Sequence, residues 1–165
     1  VLKGGTEAGD FETSVDLPVD AFIPEDYITA ETIKMEIYKR ISGIGSEEDL
    51  FDVTDELIDR FGEPPRSVQN LVKIALMKAG LHRIFVTEMR QDGEEVRLSF
   101  SGQADLDPSG IPRLLSSGRW QNRLFFRAAP DPQFTLKIKG GVKRQEELLR
   151  TLQELTDDLQ VLRGA

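Results

Sequence analysis

The apolar positions in the first half of the chain repeat mainly at helical spacing. Ile33, Ile37, Ile41 and Ile44 follow one another at intervals of four and three residues, which predicts an amphipathic helix over residues 30–42. A Gly-Ile-Gly stretch interrupts the pattern directly afterwards. This helix is the first of three that the pattern predicts before the apolar spacing changes from helical to alternating.

Two further helices follow, each with a recognisable start or stop. Ser46 suits the N-cap of a second helix, which ends at about Phe61, where Gly62 supplies a residue that accepts the left-handed conformation. A pair of prolines then starts a third helix over residues 65–79. Because the third helix is apolar on more than one side, we expect it to be the buried one.

In the second half, apolar residues alternate with polar ones over short stretches, as they do in strands. A short alternating stretch at Val15 and Leu17 also predicts a strand near the start of the chain. The later elements predicted are a hairpin at Asp92-Gly93, a short helix at 110–117, a strand pair at 124–126 and 134–138, and a long helix at 142–162.

This order of elements predicts an α+β fold, because the hairpin pairs its strands antiparallel. Residues 1–13 are rich in glycine and acids and predict a flexible linker. Residues 14–165 are then one domain, with a mainly helical half at 14–80 and a mixed strand and helix half at 81–165. The chain lacks an initiator methionine, so we expect a piece of a longer protein.

Charge narrows the classes of partner. The net charge is −8, of which residues 1–80 carry −9 and residues 81–165 carry +1. Nucleic-acid binding rests on clustered Lys and Arg, so we expect no direct contact with nucleic acid. An acidic half suits a basic protein partner, or serves only solubility.

Composition also removes several kinds of chemistry from consideration. The chain has no cysteine and a single histidine, His82, so we expect neither a disulfide nor a metal or cofactor site, and a reducing cytoplasm fits. It has no apolar run of 18 residues, so we expect no contact with a membrane. The motifs of serine hydrolases, P-loop ATPases and zinc proteases are absent, and we expect no enzyme.

Two weaker signals have a structural and a functional interpretation each. Gly140-Gly141, between a predicted strand and a predicted helix with cations nearby, suits a tight turn better than a phosphate nest. Trp120, flanked by arginines, suits a core position better than a stacking platform for a nucleobase.

The second predicted helix carries the strongest functional signal. On a helical wheel of residues 48–61 one arc is apolar and the opposite arc is carboxylate. The apolar arc holds Leu50, Phe51, Val53, Thr54, Leu57, Ile58 and Phe61, and the acidic arc holds Glu48, Asp52, Asp55, Glu56 and Asp59, with Asp49 and Arg60 at its margin. Such a face is either solvated, or a docking surface for arginines of a partner, or the less favoured catalytic carboxylate pair.

Three motifs, in order, carry a resemblance to a known family. They are LPVDAFIPEDYI from Leu17, IYKRI from Ile37, and ELIDRFGEPP from Glu56, followed by Asn70-Leu71. They resemble the C-terminal domain of the bacterial transcription-repair coupling factors. The resemblance is close over residues 14–85, and it extends over residues 86–165 by the order of the elements.

The resemblance implies a regulatory domain without its own enzymatic activity. Members are ATP-driven DNA translocases of transcription-coupled nucleotide-excision repair that displace stalled RNA polymerase and recruit UvrA. Their C-terminal domain packs on a UvrB-like module of the same chain and hides the surface that UvrA needs. The resemblance therefore implies docking through Glu56 and Asp59, and we add Asp52 and Arg60 on the same or an adjacent face. Leu57, Phe61 and Gly62 would hold the helix end in place.

Two alternatives from other classes remain. The first is an auxiliary DNA-contacting module of the same motor protein, which would use cations of the second half: Arg113, Arg119, Arg123, Arg127, Lys137 and Lys139. The second is a carboxylate-based hydrolase, which needs a deep pocket that holds Asp52, Asp55 or Glu56.

Overall fold

A computed structural model of the chain describes residues 11–138 and 144–164. The helices are α1 (Glu31–Ser42), α2 (Glu47–Phe61), α3 (Arg66–Arg83), α4 (Ile111–Ser116) and α5 (Gln145–Leu159). The strands are β1 (Ser14–Asp16), β2 (Val86–Asp92), β3 (Glu95–Phe100), β4 (Leu124–Arg127) and β5 (Gln133–Lys137). None of the described helices is long and apolar enough to cross a membrane.

The predicted α+β fold is confirmed. The strands form one five-stranded mixed sheet in the order β1-β2-β3-β5-β4. The predicted hairpin and the second strand pair are both antiparallel, whereas β1 pairs with β2 in parallel. The hairpin turn lies one residue later than the sequence predicts, because Asp92 pairs with Glu95 and Gly93 is the turn residue with a positive φ of 65°.

The helices lie at their predicted positions, but α3 is longer than predicted, and α5 ends at Leu159, before a 3-10 turn over Gln160–Leu162. Helix α3 continues four residues beyond the predicted end, to Arg83. Gly80 does not stop the helix, because it lies within α3 at a close contact with α5. Residues 142 and 143, where the last helix was predicted to begin, lie outside the described residues, as do residues 1–10 of the predicted linker. Residues 11–13 of that linker contact the domain: Phe11 stacks on His82 and the Thr13 hydroxyl donates to the Val86 carbonyl at 2.7 Å.

Helix α3 joins two apolar cores. Val68 and Val72, near its start, pack with α1 and α2, while Met77 and Leu81, near its end, pack with the sheet and α5. Both pairs are buried, which confirms the expectation that α3 is the buried helix. The helical side and the sheet side of the domain are therefore coupled through one continuous element.

The crossing of α3 and α5 is close at Gly80. A β-carbon at this position would lie 2.8 Å from the Cγ2 atom of Thr156, a buried side chain that cannot easily move aside. The amide of Gln160 donates to the Gly80 carbonyl at 2.9 Å and fixes the same contact. A glycine is needed here for the approach of the two helices, not for its backbone conformation.

A polar network ties the helical side to α5. The buried Asn70 amide donates to the Asp20 carbonyl at 2.9 Å and to the Gln145 side chain at 3.0 Å. The same Gln145 oxygen accepts from the Asp20 backbone N–H at 3.0 Å. Three segments that are distant in sequence thus meet at one buried amide.

We expect Asn70→Ala to lower the free energy of unfolding by about 1–3 kcal/mol, because the Asp20 carbonyl and the Gln145 oxygen lose a buried donor. Urea unfolding followed by circular dichroism measures this loss. Lys73→Ala, at an exposed position of the same helix, is the matched control and should stay within about 0.5 kcal/mol of wild type. Equal stability of the two variants would contradict the role given to the network.

Candidate docking surface on helix α2

The start of α2 is fixed by the residues that the sequence singles out. The Ser46 hydroxyl accepts from the Asp49 backbone N–H at 3.1 Å, so the predicted N-cap is confirmed. The Asp49 carboxylate in turn accepts from the Gly45 N–H at 2.9 Å. Asp49 is therefore engaged at the helix start and is not part of the free acidic surface.

The end of α2 is held by the segment before α1. Gly62 has a φ of 89°, and its carbonyl accepts from the Tyr27 hydroxyl at 2.8 Å. The Tyr27 ring lies 5.8 Å from the ring of Phe61. Burial raises the pKa of Tyr27 above its ordinary value, and the carboxylate of Glu63 raises it further. The end of α2 is thus fixed in orientation, as the sequence predicts for Phe61 and Gly62.

The inward face of α2 is narrower than the helical wheel predicts. Val53 and Leu57 are buried against α1 and α3. Phe51 and Ile58, which the wheel places in the apolar arc, are instead 59% and 40% exposed. They lie at the edge of that arc, where the neighbouring helices cover them only in part. Two large apolar side chains therefore stand on the solvent side of α2.

Glu56 makes contacts within the domain. Its carboxylate bonds to the guanidinium of Arg40 on α1, and Arg60, one turn along α2, lies 3.1 Å from its second oxygen. The hydrogen bond from Arg40 is the main reason why the pKa of Glu56 lies below its ordinary value of 4.5. Arg60 also lies over the ring of Phe61, at 5.0 Å from its centroid. Glu56 and Arg60 thus link α1 to α2 while staying at the surface.

The other acids of α2 are exposed to solvent. Asp52, Asp55 and Asp59 have no Lys, Arg or His nitrogen within 4.0 Å among the residues that the structure describes. Their spacing of three, four and seven residues places them on one side of the helix, next to Phe51 and Ile58. We call these five residues, Phe51, Asp52, Asp55, Ile58 and Asp59, the α2 face.

Comparison with known proteins identifies the family to which the chain belongs. The family model described as the TRCF domain matches residues 17–111, which is more than half of the chain and includes all of α2. The chain belongs to the TRCF domain family. The resemblance noted in the sequence is thereby confirmed.

Curated relatives of this TRCF domain cover most of its length. The transcription-repair-coupling factor of Bacillus subtilis (strain 168) is 32% identical over 151 residues, which are 91% of this chain and 13% of that protein. That of Staphylococcus haemolyticus (strain JCSC1435) is 31% identical over 141 residues, 80% of this chain and 12% of that protein. The chain thus spans a small part of the length of the relatives that it matches.

A solved structure shares the fold of the TRCF domain. The crystal structure of a C-terminal domain of transcription-repair coupling factor superposes with a TM-score of 0.76 and covers 93% of this chain and 94% of that one. The two sequences are 24% identical, so the likeness establishes the fold. It agrees with the α+β architecture described above.

The contacts of Glu56 in the TRCF domain predict a pH dependence of stability. A carboxyl whose pKa is lowered by folding stabilises the folded state above its unfolded pKa, and this contribution is lost as the pH falls through the folded pKa. We expect Glu56→Gln to lower the Tm by about 1–3 °C at neutral pH. The difference from wild type should shrink as the pH falls below 4.5. Thermal unfolding followed by circular dichroism between neutral and acidic pH measures it.

Asp55→Asn is the matched control for this prediction. Asp55 lies one residue before Glu56 on the same helix and has no cation within 4.0 Å among the described residues. Its replacement should not lower the Tm at neutral pH. A Glu56→Gln protein with the same Tm and the same pH profile as wild type would show that the two arginine contacts contribute nothing.

A cavity next to α2 bears on the hydrolase alternative. Asp49 and Asp52, with Lys39 and Arg40 opposite, line an open cavity of about 530 Å³ between α1 and α2. Its described lining contains no His, Ser or Thr to act with the carboxylates, and Asp49 already caps the helix. Asp55 and Glu56 do not line it. The arrangement lacks the set of groups that an active site requires.

The basic residues of the second half have individual surroundings. Arg119 pairs with Asp158 at 3.3 Å, the Arg123 guanidinium lies 5.7 Å from the Trp120 ring, and Lys137 lies 5.5 Å from the Phe125 ring. Arg113 and Arg127 are exposed, and Lys139 and Gly140-Gly141 lie outside the described residues. Trp120 is buried, so its predicted core position is confirmed. A DNA-contacting role for these cations stays a prediction.

Proposed function

We propose that this TRCF domain is a non-catalytic regulatory domain of a longer transcription-repair coupling factor. It docks on a UvrB-like module of the parent chain and masks the surface through which that module binds UvrA. Family membership and the likeness to a solved C-terminal domain of such a factor support the identity of the parent. The docking surface is the α2 face, and the domain needs no cofactor for this role.

The observation that carries the proposal is the unbalanced charge of the α2 face. Asp52, Asp55 and Asp59 repel one another at helical spacing, which opposes the helix by about 0.2–0.5 kcal/mol per pair. Asp59 also lies near the helix C-terminus, where the dipole disfavours an acid. None of the three aspartates has a Lys, Arg or His nitrogen within 4.0 Å among the described residues, and only Asp52 has Arg40 nearby, across the cavity between α1 and α2. Arginines of a partner would offset this cost, because guanidinium groups bind carboxylates in a bidentate geometry.

The exposed apolar residues supply the second half of a docking surface. Phe51 and Ile58 are next to the aspartates and are 59% and 40% exposed. A protein interface commonly has an apolar centre with charged groups around it, and aromatic residues are enriched in such centres. The partner surface should therefore present arginines around an apolar patch.

The four residues that the sequence indicates for docking then have two kinds of role. Asp59 and Asp52 are free to meet arginines of the UvrB-like module. Glu56, whose side chain is 29% exposed, is already bonded to Arg40 and Arg60, so it fixes the position of α2 and adds to the acidic surface. Arg60 acts with Glu56 and does not face the partner alone.

The proposed mechanism is a shift between two states of the parent protein. Contacts through the α2 face stabilise a closed state in which the UvrB-like module is covered. Engagement of stalled RNA polymerase and DNA by other modules of the parent favours an open state and so exposes the module to UvrA. The domain makes these contacts in the closed state and loses them in the open state, and this difference is its contribution to the free energy between the two states.

Direct binding tests the docking step. The domain is titrated by calorimetry into a separately made UvrB-like module of the same parent, at low and at high salt. We expect the wild-type domain to bind and salt to weaken binding. Asp52→Arg plus Asp59→Arg should weaken binding at least tenfold, which corresponds to about 1.4 kcal/mol.

A matched double variant separates local from general charge effects. Glu94→Arg plus Asp131→Arg makes the same change of net charge at exposed positions in the loops of the sheet. It should bind like wild type. If both double variants bind equally well, the aspartates of α2 are a solvated surface and the proposal is wrong. If the wild-type domain does not bind at all, docking through this face is contradicted as well.

A further inference from the structure

A second surface of the domain has the features of a binding groove. An open cavity of about 1010 Å³ lies between α1, α3 and the segment at Phe11–Thr13. Its floor is apolar: Ile41, Ile44, Leu71, Ile74, Ala75 and Ala79. No residue of α2 lines this cavity, so it is separate from the α2 face.

The charge around the groove is opposite to that of the chain as a whole. Lys39, Lys78 and Arg83 line it, and Glu12 is the one acid among its described lining residues. The three cations have no carboxylate oxygen within 4.0 Å among the residues that the structure describes, and Arg83 donates to the Gly45 carbonyl at 3.0 Å. A chain of net charge −8 thus has a local cationic rim.

Exposed apolar residues extend the groove along α1. Tyr38 lines it and is 37% exposed, and Met35, one turn earlier on the same side of the helix, is 68% exposed. The Tyr38 hydroxyl accepts from the Ile23 backbone N–H at 2.9 Å, which places the 48% exposed Phe22 close to Tyr38. The apolar surface that is open to a partner is therefore longer than the cavity itself.

We propose that this groove binds an acidic amphipathic helix of a protein partner. Two walls are helices whose backbone groups are bonded internally, and the third, Phe11–Thr13, precedes strand β1 and is not part of it. No strand lines the groove, so side-chain burial must supply most of the affinity. Apolar residues of the partner, spaced i, i+4 and i+7, fill the floor between α1 and α3. Acidic residues on the flank of the partner helix meet Lys39, Lys78 and Arg83.

Nucleic acid fits the groove less well than a protein helix. A phosphate backbone is held by clustered cations on a polar surface, whereas the floor here is made of isoleucine, leucine and alanine. Three cations beside a large apolar floor match a helix with one apolar and one acidic side. The groove proposal does not depend on docking through the α2 face, and the two proposals are tested by separate experiments.

Fluorescence anisotropy with synthetic probes tests this proposal. The first probe is a labelled peptide of about 16 residues, long enough for four helical turns, with leucines at i, i+4, i+7 and i+11 and glutamates on the flanks. The second has lysine in place of every glutamate, and the third is a labelled oligothymidine. We expect the acidic peptide to bind with a Kd on the order of 10–100 μM and the lysine peptide to bind at least tenfold more weakly.

Paired charge reversals locate the binding site. Lys39→Glu plus Lys78→Glu should weaken binding of the acidic peptide at least tenfold. Lys73→Glu plus Arg113→Glu changes the net charge equally at exposed positions that do not line the groove, and should leave binding unchanged. Circular dichroism checks that each variant is folded.

Any of three results with the peptides would overturn the proposal. They are equal binding of the acidic and lysine peptides, equal loss in the two double variants, and no binding of the acidic peptide at millimolar concentration. Binding of the oligothymidine that depends on Lys39 and Lys78, without binding of the acidic peptide, would identify the groove as a nucleic-acid site and would also overturn it.

Discussion

Replacing Leu57 with alanine should destabilise the domain by about 2–5 kcal/mol. Leu57 is 1% exposed and packs in the helical core with Val53, Val68 and Val72. Truncation removes apolar burial and leaves a cavity that the surrounding helices cannot fill completely. Urea unfolding measures the loss, which should appear as a lower midpoint with an unchanged m-value.

The neighbouring residue provides the matched control. Ile58 follows Leu57 on α2, but it lies at the edge of the apolar arc and is 40% exposed. Ile58→Ala should lower stability by about 1 kcal/mol or less and should weaken docking on the UvrB-like module, whereas Leu57→Ala mainly weakens the fold. Equal loss of stability in the two variants would contradict an α2 orientation that buries Leu57 and leaves Ile58 40% exposed.

Trp120→Ala should cost about 3–5 kcal/mol, one of the largest effects expected in this chain. Trp120 is fully buried in the core between the sheet and α5. Its indole N–H donates to the Asp158 carboxylate at 2.7 Å, and Arg119 approaches the same oxygen at 3.3 Å. The variant loses a large apolar side chain and also removes a donor from a half-buried carboxylate on α5.

Phe125→Ala separates these effects from the general loss of an aromatic residue. Phe125 is 47% exposed on β4, five residues after Trp120. Its truncation should cost about 1 kcal/mol or less. A Trp120→Ala protein that unfolds in urea at nearly the wild-type midpoint would contradict the position of the indole in the core.

The helical half could be predicted from sequence because its signals are local. The isoleucine spacing of α1, the Ser46 cap and the Gly62 stop each act within a few residues, and each is found where it was predicted. The α+β class followed from the same kind of pattern together with the hairpin signal. Short-range spacing and capping chemistry are enough for these features.

The parallel pairing of β1 with β2 could not be predicted in this way. Ser14–Asp16 is three residues long and pairs with Glu88–Arg90, more than seventy residues later. Its sequence pattern indicates a strand but contains no information about the partner. The connection between the two strands contains α1, α2 and α3, and α3 packs in both cores, so the pairing belongs to the tertiary structure and not to a local pattern.

The sequence predicted the acidic side of α2, but it did not predict which side chains of that helix are exposed or which of them contact α1. A helical wheel gives the direction of each side chain but not the width of the surface that neighbouring helices cover, so Phe51 and Ile58 were placed in the core. The wheel also contains only α2, so the bond between Glu56 and Arg40 of α1 was not visible. Both corrections change which side chains of α2 a partner can reach.

Competition for the UvrB-like module is the most direct test of masking. UvrA binding to the immobilised module is measured while the concentration of this domain is raised. The proposal predicts that the wild-type domain reduces UvrA binding, that Asp52→Arg plus Asp59→Arg does not, and that Glu94→Arg plus Asp131→Arg acts like wild type. UvrA binding that stays constant at saturating wild-type domain would show that the domain does not mask the UvrA surface.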